Sequence, residues 1–453
     1  MKTSVISKLA LAAVAATALL TSCEKIQGLL GGKDQNEEEK ELTADTQKTK
    51  LDEVGEAFIN EFDIANWQGT TDGMASAMLA VSRVEGPSES AKDALDIEIN
   101  GSDDDGVPTV TIDLSLLKGH FTINEDNLID LAETGNFNDL TLDFAADGHD
   151  YHVDVTLQNS GTTILIDESR SYSYDGNDET VTVTHRGYFV VPASVKGKFT
   201  VDGTKTFDVT AALKYDGIRD FQNSTPEDLN SVKLETNFTV NAGDYTLNLA
   251  KASFNGYDAT EDFTLLRAGK KLLSSVANLK GLVIVSEEID DYYDPGYDAN
   301  GDGIYDENDM VPQHYHRTEE MFNTADVAVD VLGRLQVKGS VAFANLMAAL
   351  SQGQAGFIDV ETANKLLEGI EDFYDLGIYY DGGSVEQAWL SLKAFAGKDN
   401  QPEIIPVVNF ADGTSYTAPD FFTEANFAKT VKAAETLAEK IEKYFDSFTK
   451  DVK

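Results

Sequence analysis

The chain has 453 residues, with 35 Lys+Arg against 79 Asp+Glu and a formal charge of −44. Nothing in it is built to neutralise phosphates, so nucleic acid is excluded as a partner. Hydrophobic residues at 42% and aromatics at 9% suffice for a packed core and are too many for a disordered acidic polymer; at ~150 residues per domain the length allows up to about three domains.

The first segment runs from Met1 to Cys23, with Lys2 and Lys8 ahead of an apolar stretch from Leu9 to Leu20 and then Thr21-Ser22-Cys23. The apolar run is well short of the ~20 residues that span a bilayer, so it reads as a signal peptide. Leu20, two small residues and the only cysteine together resemble the lipobox of bacterial lipoproteins. That resemblance implies cleavage after Ser22, removal of residues 1–22, and acylation of Cys23 with palmitate-class chains that anchor the protein to a membrane. With one cysteine no disulfide forms within the chain.

Residues 23–45 read as a flexible acidic tether, with Gly28, Gly31 and Gly32 followed by Glu37-Glu38-Glu39 and little to bury. An acidic stretch behind the lipobox cysteine is similar to the export signal of Bacteroidota-type surface lipoproteins, which implies an outer-membrane protein facing outward. Loss of Lys2 and Lys8 leaves 33 basic against 79 acidic residues, a charge of −46. Such a charge disfavours adsorption to anionic lipid, so the acyl chain is the expected membrane contact.

Residues 46–90 read as a helical segment: Leu51, Val54, Phe58 and Phe62 are spaced three or four apart, and Met74, Met78 and Val81 suggest a second helix. From 91 to 255 the period changes to two. Leu95/Ile97/Ile99, Val110/Ile112/Leu114, Val153/Val155/Leu157, Phe207/Val209 and Tyr245/Leu247/Leu249 alternate with polar residues, as antiparallel strands with one wet face do. Asp147-Gly148, Asp202-Gly203 and Asn241-Ala242-Gly243 carry the chemistry of hairpin turns. Two of these hairpins, 198–209 and 237–249, look alike, and convergent hairpin chemistry accounts for the likeness better than a repeat does.

Residues 256–453 read as a mixed α/β region. Leu265, Leu266, Leu272, Leu273 and Val276 give a helical stripe, Gly281 to Val285 a strand, and Val327/Val329/Val331 another. A last amphipathic helix begins near the N-cap Thr423, with Phe427, Val431, Ala434, Ala438, Ile441, Phe445 and Phe448 down one side. The expected fold class is therefore α+β: a large antiparallel β-sheet region of repeated hairpins packed with helices, closed by a long C-terminal amphipathic helix.

One loop carries metal chemistry. Asp298-Ala299-Asn300-Gly301-Asp302-Gly303-Ile304-Tyr305-Asp306-Glu307-Asn308-Asp309 places oxygen ligands at positions one, three and five, glycine at six, and carboxylates at nine and twelve, as a hard cation requires of one short loop. The string resembles the calcium loops of thrombospondin type-3 repeats, dockerins and EF-hands. By that resemblance Asp298, Asn300, Asp302, Asp306 and Asp309 supply side chains and Ile304 a backbone carbonyl. Position twelve is Asp where an EF-hand has Glu, and Asp294-Pro295-Gly296 precedes the loop in place of a helix. The expectation is a stand-alone structural calcium site of extracellular type, with a Kd on the order of 10⁻⁴ to 10⁻³ M.

Tyr292, Tyr293, Tyr297, Tyr305 and Tyr315 crowd this region, and Trp67 and Trp389 are the only tryptophans. Rings beside carboxylates suit a saccharide, although tyrosines more often cap a core edge. His314 and His316, and His149 and His152, form close pairs near Glu319 and Glu320 in the first case, but neither pair has a third ligand in sequence. Ser115-Leu116-Leu117-Lys118 fits SxxK without its companion motifs, and metalloprotease, nucleophile-elbow, phosphate-loop and dinucleotide motifs are absent. No catalytic residue is assigned. The reading is a lipid-anchored envelope protein of binding or scaffolding type, whose partner is a glycan or another envelope protein. The second reading is a surface glycoside-active hydrolase using two carboxylates that sequence does not locate.

Overall fold

A computed structural model describes residues 41–62, 72–73, 76–77, 80–133, 135, 137–146, 148–175, 178–220, 224, 226–293, 311–346, 359–397 and 402–451. The α+β class is overturned: among the described residues strands make up 56% and helices 21%, and one mixed sheet holds 19 strands. A long C-terminal amphipathic helix is accordingly not a principal layer of the fold. The helices cover patches of a sheet that dominates the molecule.

The first strands are short: β1 (Gly86–Pro87), β2 (Glu98–Ser102), β3 (Pro108–Ile112), β4 (Gly119–Ile123), β5 (Leu128–Glu133) and β6 (Leu140–Ala146). Two long strands follow, β7 (His149–Asp175) and β8 (Asp178–Val201), then β9 (Thr204–Asp216), β10 (Lys233–Ala242), β11 (Tyr245–Phe254) and β12 (Ala259–Arg267). A second long pair, β13 (Lys270–Tyr293) and β14 (Val311–Val331), leads to β15 (Leu335–Val341), β16 (Tyr374–Tyr380), β17 (Ala388–Ala396), β18 (Pro402–Phe410) and β19 (Ser415–Thr417). From β7 to β19 each strand pairs antiparallel with the next. Beyond β7 the order continues β6, β4, β5, β1, and the hairpin β2–β3 joins β8. The β1–β5, β4–β6 and β3–β8 joints are parallel, which makes the sheet mixed.

The helical stripe expected from Leu265 to Val276 is the hairpin β12–β13, with Leu265 opposite Leu273 and Arg267 opposite Lys270. Its two-residue turn, Ala268 and Gly269, has φ of 47° and 77°, the paired positive values that match strand twist. A register shift between Leu265 and Leu266 doubles the apolar residues and imitates helical spacing. Asp202 and Gly203, with φ of 49° and 75°, close β8–β9 in the same way.

One face of the sheet is apolar and carries the helices α1 (Ala44–Asn60), α2 (Val360–Glu368), α3 (Ala418–Phe421) and α4 (Ala428–Asp451). Leu51 and Val54 of α1 pack with Leu335, Ile378, Val408 and Phe410 from three strands, and with Phe421 and Phe427. Burial of each such side chain contributes about 1.5–3 kcal/mol. Ala363 and Leu367 of α2 pack on Ala394. Near the other end, Ala77 packs with Phe144 and Tyr151. The buried Gln47 fixes α1 to the sheet: its Nε2 donates to the Gln387 carbonyl at 2.5 Å and the Leu42 carbonyl at 3.2 Å.

Candidate functional site

The strand periodicity that turns Leu376, Ile378, Tyr380, Ala388 and Leu390 toward the covered face puts Gly377, Tyr379 and Trp389 on the opposite, open face. That face is polar along many strands. Asn241 Nδ2 donates to Asp208 Oδ1 at 2.8 Å, Thr246 Oγ1 to Asn241 Oδ1 at 2.7 Å, and Thr239 Oγ1 to Asn248 Oδ1 at 2.9 Å. Where β12 to β15 meet, a cleft of about 160 Å³ opens, lined by Asp262, Thr264, Lys271, Ser274, Asp330 and Lys338 among others. It is smaller than the ~300–1,000 Å³ of drug-sized ligand sites and suits one small group rather than a whole ligand.

Asp330 is 4% exposed and fully occupied. Its Oδ1 accepts from the Gly333 amide at 2.7 Å, and its Oδ2 from Lys271 Nζ and Gln336 Nε2, both at 3.3 Å. Lys338, on the cleft wall, lies 4.1 Å from the Tyr379 ring centroid, a cation–π contact, and has no carboxylate partner among the described residues.

Beside the cleft is a notch made by the missing side chain of Gly377. Gly377 pairs with Lys338 on one side and Trp389 on the other. A Cβ at Gly377 would run into the Glu386 carboxylate and come within 2.9 Å of the Tyr379 ring, so those two groups lie directly on its backbone. Burial raises the Glu386 carboxyl above its ordinary range, and the charge of Asp375 adds to the rise. The Tyr379 hydroxyl is pushed up to about 12 by burial and then by Glu386 and Asp375. Trp389 is 39% exposed. The notch therefore combines an open indole, a phenol that stays protonated, a carboxyl whose hold on its proton is strengthened by burial, and a nearby acidic residue.

Of the residues singled out from sequence, Cys23 and the calcium ligands Asp298, Asn300, Asp302, Ile304, Asp306 and Asp309 lie outside the described residues, as do Trp67 and the side chains of His314 and His316. The strands that flank the calcium loop are described to its edges, where Tyr293 pairs with Val311. His149 and His152 separate onto opposite faces. His149 Nδ1 sits 2.7 Å from Asp202 Oδ2, whereas His152 joins Asp143 and Asp154. Among the described residues no three His, Cys, Asp or Glu side chains are grouped to hold a metal, and no helix is long and apolar enough to cross a membrane. Sequence reasoning missed Gly377, Tyr379 and Glu386, because only the pairing of β15, β16 and β17 brings them together with Trp389. Comparison with protein-family models, curated proteins and solved structures gives no match to this chain.

Proposed function

We propose that this is a lipid-anchored cell-envelope protein, facing outward from the outer membrane, that binds a glycan across the Gly377 notch. The observation that carries the binding role is Trp389, an exposed indole set directly opposite a glycine. A flat ring over a gap with hydrogen-bonding groups at its rim offers a sugar an apolar face and polar edges at once. The anchor at Cys23 rests on the lipobox resemblance, and the structural calcium ion on the loop from Asp298 to Asp309.

The test is a glycan array probed with the acylation-free mature chain and with Trp389→Ala. A saccharide bound by the native chain and weakened roughly 30-fold or more by the substitution, the ~2 kcal/mol scale of a tryptophan hot spot, supports the reading. Retention of full affinity by Trp389→Ala would move the site elsewhere.

Glu386 and Asp375 favour the second reading. A carboxyl raised by burial with a second acidic residue nearby is the kind of pairing a glycosidase acid and its partner use. Product release from a bound glycan that stops with Glu386→Gln supports hydrolysis; binding without turnover removes it.

A further inference from the structure

Strand pairing lays one row of residues across the open face from the cleft to the notch. In register it runs Asp262, Val276, Ala328, Lys338, Gly377 and Trp389, each directly opposite the next on β12 to β17. Neighbouring strands lie about 4.8 Å apart, so the Lys338 backbone is about 10 Å from that of Trp389, within the span of a short oligosaccharide. The immediate neighbours of Lys338 in the row, Ala328 and Gly377, are too small to reach its ammonium. That ammonium is held over the Tyr379 ring, 4.1 Å from the centroid, a contact that orients a cation without neutralising it. It has no carboxylate partner among the described residues, although the chain carries 79 acidic residues against 35 basic ones. The other cation of the cleft, Lys271, is engaged by the buried Asp330 at 3.3 Å.

We propose that the ligand is an acidic saccharide and that Lys338 reads its anionic substituent, a carboxylate or a sulfate. This rests on the glycan reading of the Gly377 notch and deepens it. A ring stacked on Trp389 across Gly377 extends along the row toward Lys338, and a substituent there meets a cation already desolvated on one side by Tyr379. A hydrogen bond from such an ammonium to an anion is roughly twice as strong as one between neutral groups. Beyond Lys338 the floor is apolar, with Ala328 and Val276, and the hydroxyl residues Thr264 and Ser274 line the cleft past it. The chain's charge of −44 repels an anion at long range, but at physiological salt that repulsion is screened beyond about 8 Å. Contact with Lys338 then decides between acidic and neutral sugars.

The experiment probes the acylation-free mature chain on an array of uronate-containing, sulfated and neutral oligosaccharides, and titrates the best acidic ligand beside its neutral counterpart by calorimetry at physiological salt. The acidic form should bind more tightly than the neutral one. Lys338→Met, which keeps the stem over Tyr379 and removes the charge, should weaken the acidic form roughly 10- to 100-fold, the scale of a hydrogen bond to a charged group, and leave the neutral form and the urea midpoint unchanged. Lys338→Arg should retain most of the preference. Trp389→Ala should weaken both forms. Methyl esterification that abolishes the preference assigns a carboxylate; desulfation that does so assigns a sulfate. A Trp389-dependent site that prefers neutral sugars, or equal losses on the acidic and neutral forms in Lys338→Met, would overturn the role of Lys338 and leave the glycan reading standing. Absence of any bound saccharide, or binding indifferent to Trp389, would overturn both.

Discussion

The Nδ1 of His152 lies 2.6 Å from Oδ1 of Asp143, and its Nε2 lies 2.9 Å from Oδ1 of Asp154. A neutral imidazole has one N–H and can satisfy only one of these carboxylates; both contacts at once require the imidazolium. Asp143 also receives His120 Nε2 on its second oxygen at 2.6 Å. This row ties β4, β6 and β7 together on the open face, behind which Phe144 and Tyr151 stack with centroids 4.9 Å apart.

Burial alone would lower the His152 value, but hydrogen bonds to Asp143 and Asp154 and their charges raise it above the ordinary 6.5. A histidine raised on folding contributes stability that is full below 6.5 and is lost as pH climbs through its folded value. The sheet around β6 should therefore be more stable near pH 6 than near pH 8, by about 1 kcal/mol or less because the pair is partly exposed. His152→Gln should flatten that slope. Proton NMR titration of His152 checks the ionisation, and chemical denaturation at the two pH values checks the stability; a midpoint at or below 6.5 counts against the pairing.

Asp52 of α1 caps α4 from outside that helix. Its Oδ1 accepts from the Thr430 amide at 2.8 Å and its Oδ2 from the Lys429 amide at 3.2 Å, while Thr430 Oγ1 donates to the Asp52 carbonyl at 2.9 Å. Gly55, one turn along, leaves room for Thr430. Asp52→Ala removes a carboxylate from two amides at the positive end of a helix, and should cost about 1–2 kcal/mol. A lowered urea midpoint with unchanged slope is the expected result.

The alternation at Val153/Val155 and Phe207/Val209, and the turn at Asp202-Gly203, were legible because each is encoded within a few adjacent residues. The β12–β13 hairpin was not, since Ala268-Gly269 lacks the Asn or Asp that signals such turns and the bulge at Leu265/Leu266 broke the two-residue period. The parallel joints of β3 to β8 and β4 to β6 are long-range and leave no local mark. The candidate site follows the same division. Trp389 stands out in sequence by rarity, while Gly377, Tyr379 and Glu386 become its neighbours only through pairing.

Gly339, in β15, has φ of +155° and sits against the backbone of β16, where an added Cβ would come within 3.0 Å of the Leu376 Cα and closer still to the Asp375 carbonyl. No side chain can yield there, so Gly339→Ala must push β15 and β16 apart. Overpacking of this kind costs about 1–3 kcal/mol. It should also weaken any ligand held over Gly377, because Lys338 and Tyr379 are positioned by the same pair of strands. Denaturation and glycan affinity measured on one preparation separate this variant from Trp389→Ala, which should lose affinity with its stability intact.

Calcium should stabilise the native chain modestly. With a Kd near 10⁻³ M, as expected for an extracellular loop, 10 mM Ca²⁺ contributes about 1.4 kcal/mol through preferential binding to the folded state, a rise in Tm of about 2–4 °C or less for a chain of this size. The carboxylates of Asp298, Asp302, Asp306 and Asp309 repel one another without an ion, so monovalent salt should reproduce part of the effect and saturate at a lower Tm. Asp302→Ala removes a ligand at position five of the loop. Its melting temperature in chelator should equal or slightly exceed that of the native chain, since one like charge is gone, and its response to calcium should vanish. A native chain whose Tm is the same in 10 mM Ca²⁺ and in chelator at matched ionic strength would show that the loop holds no ion.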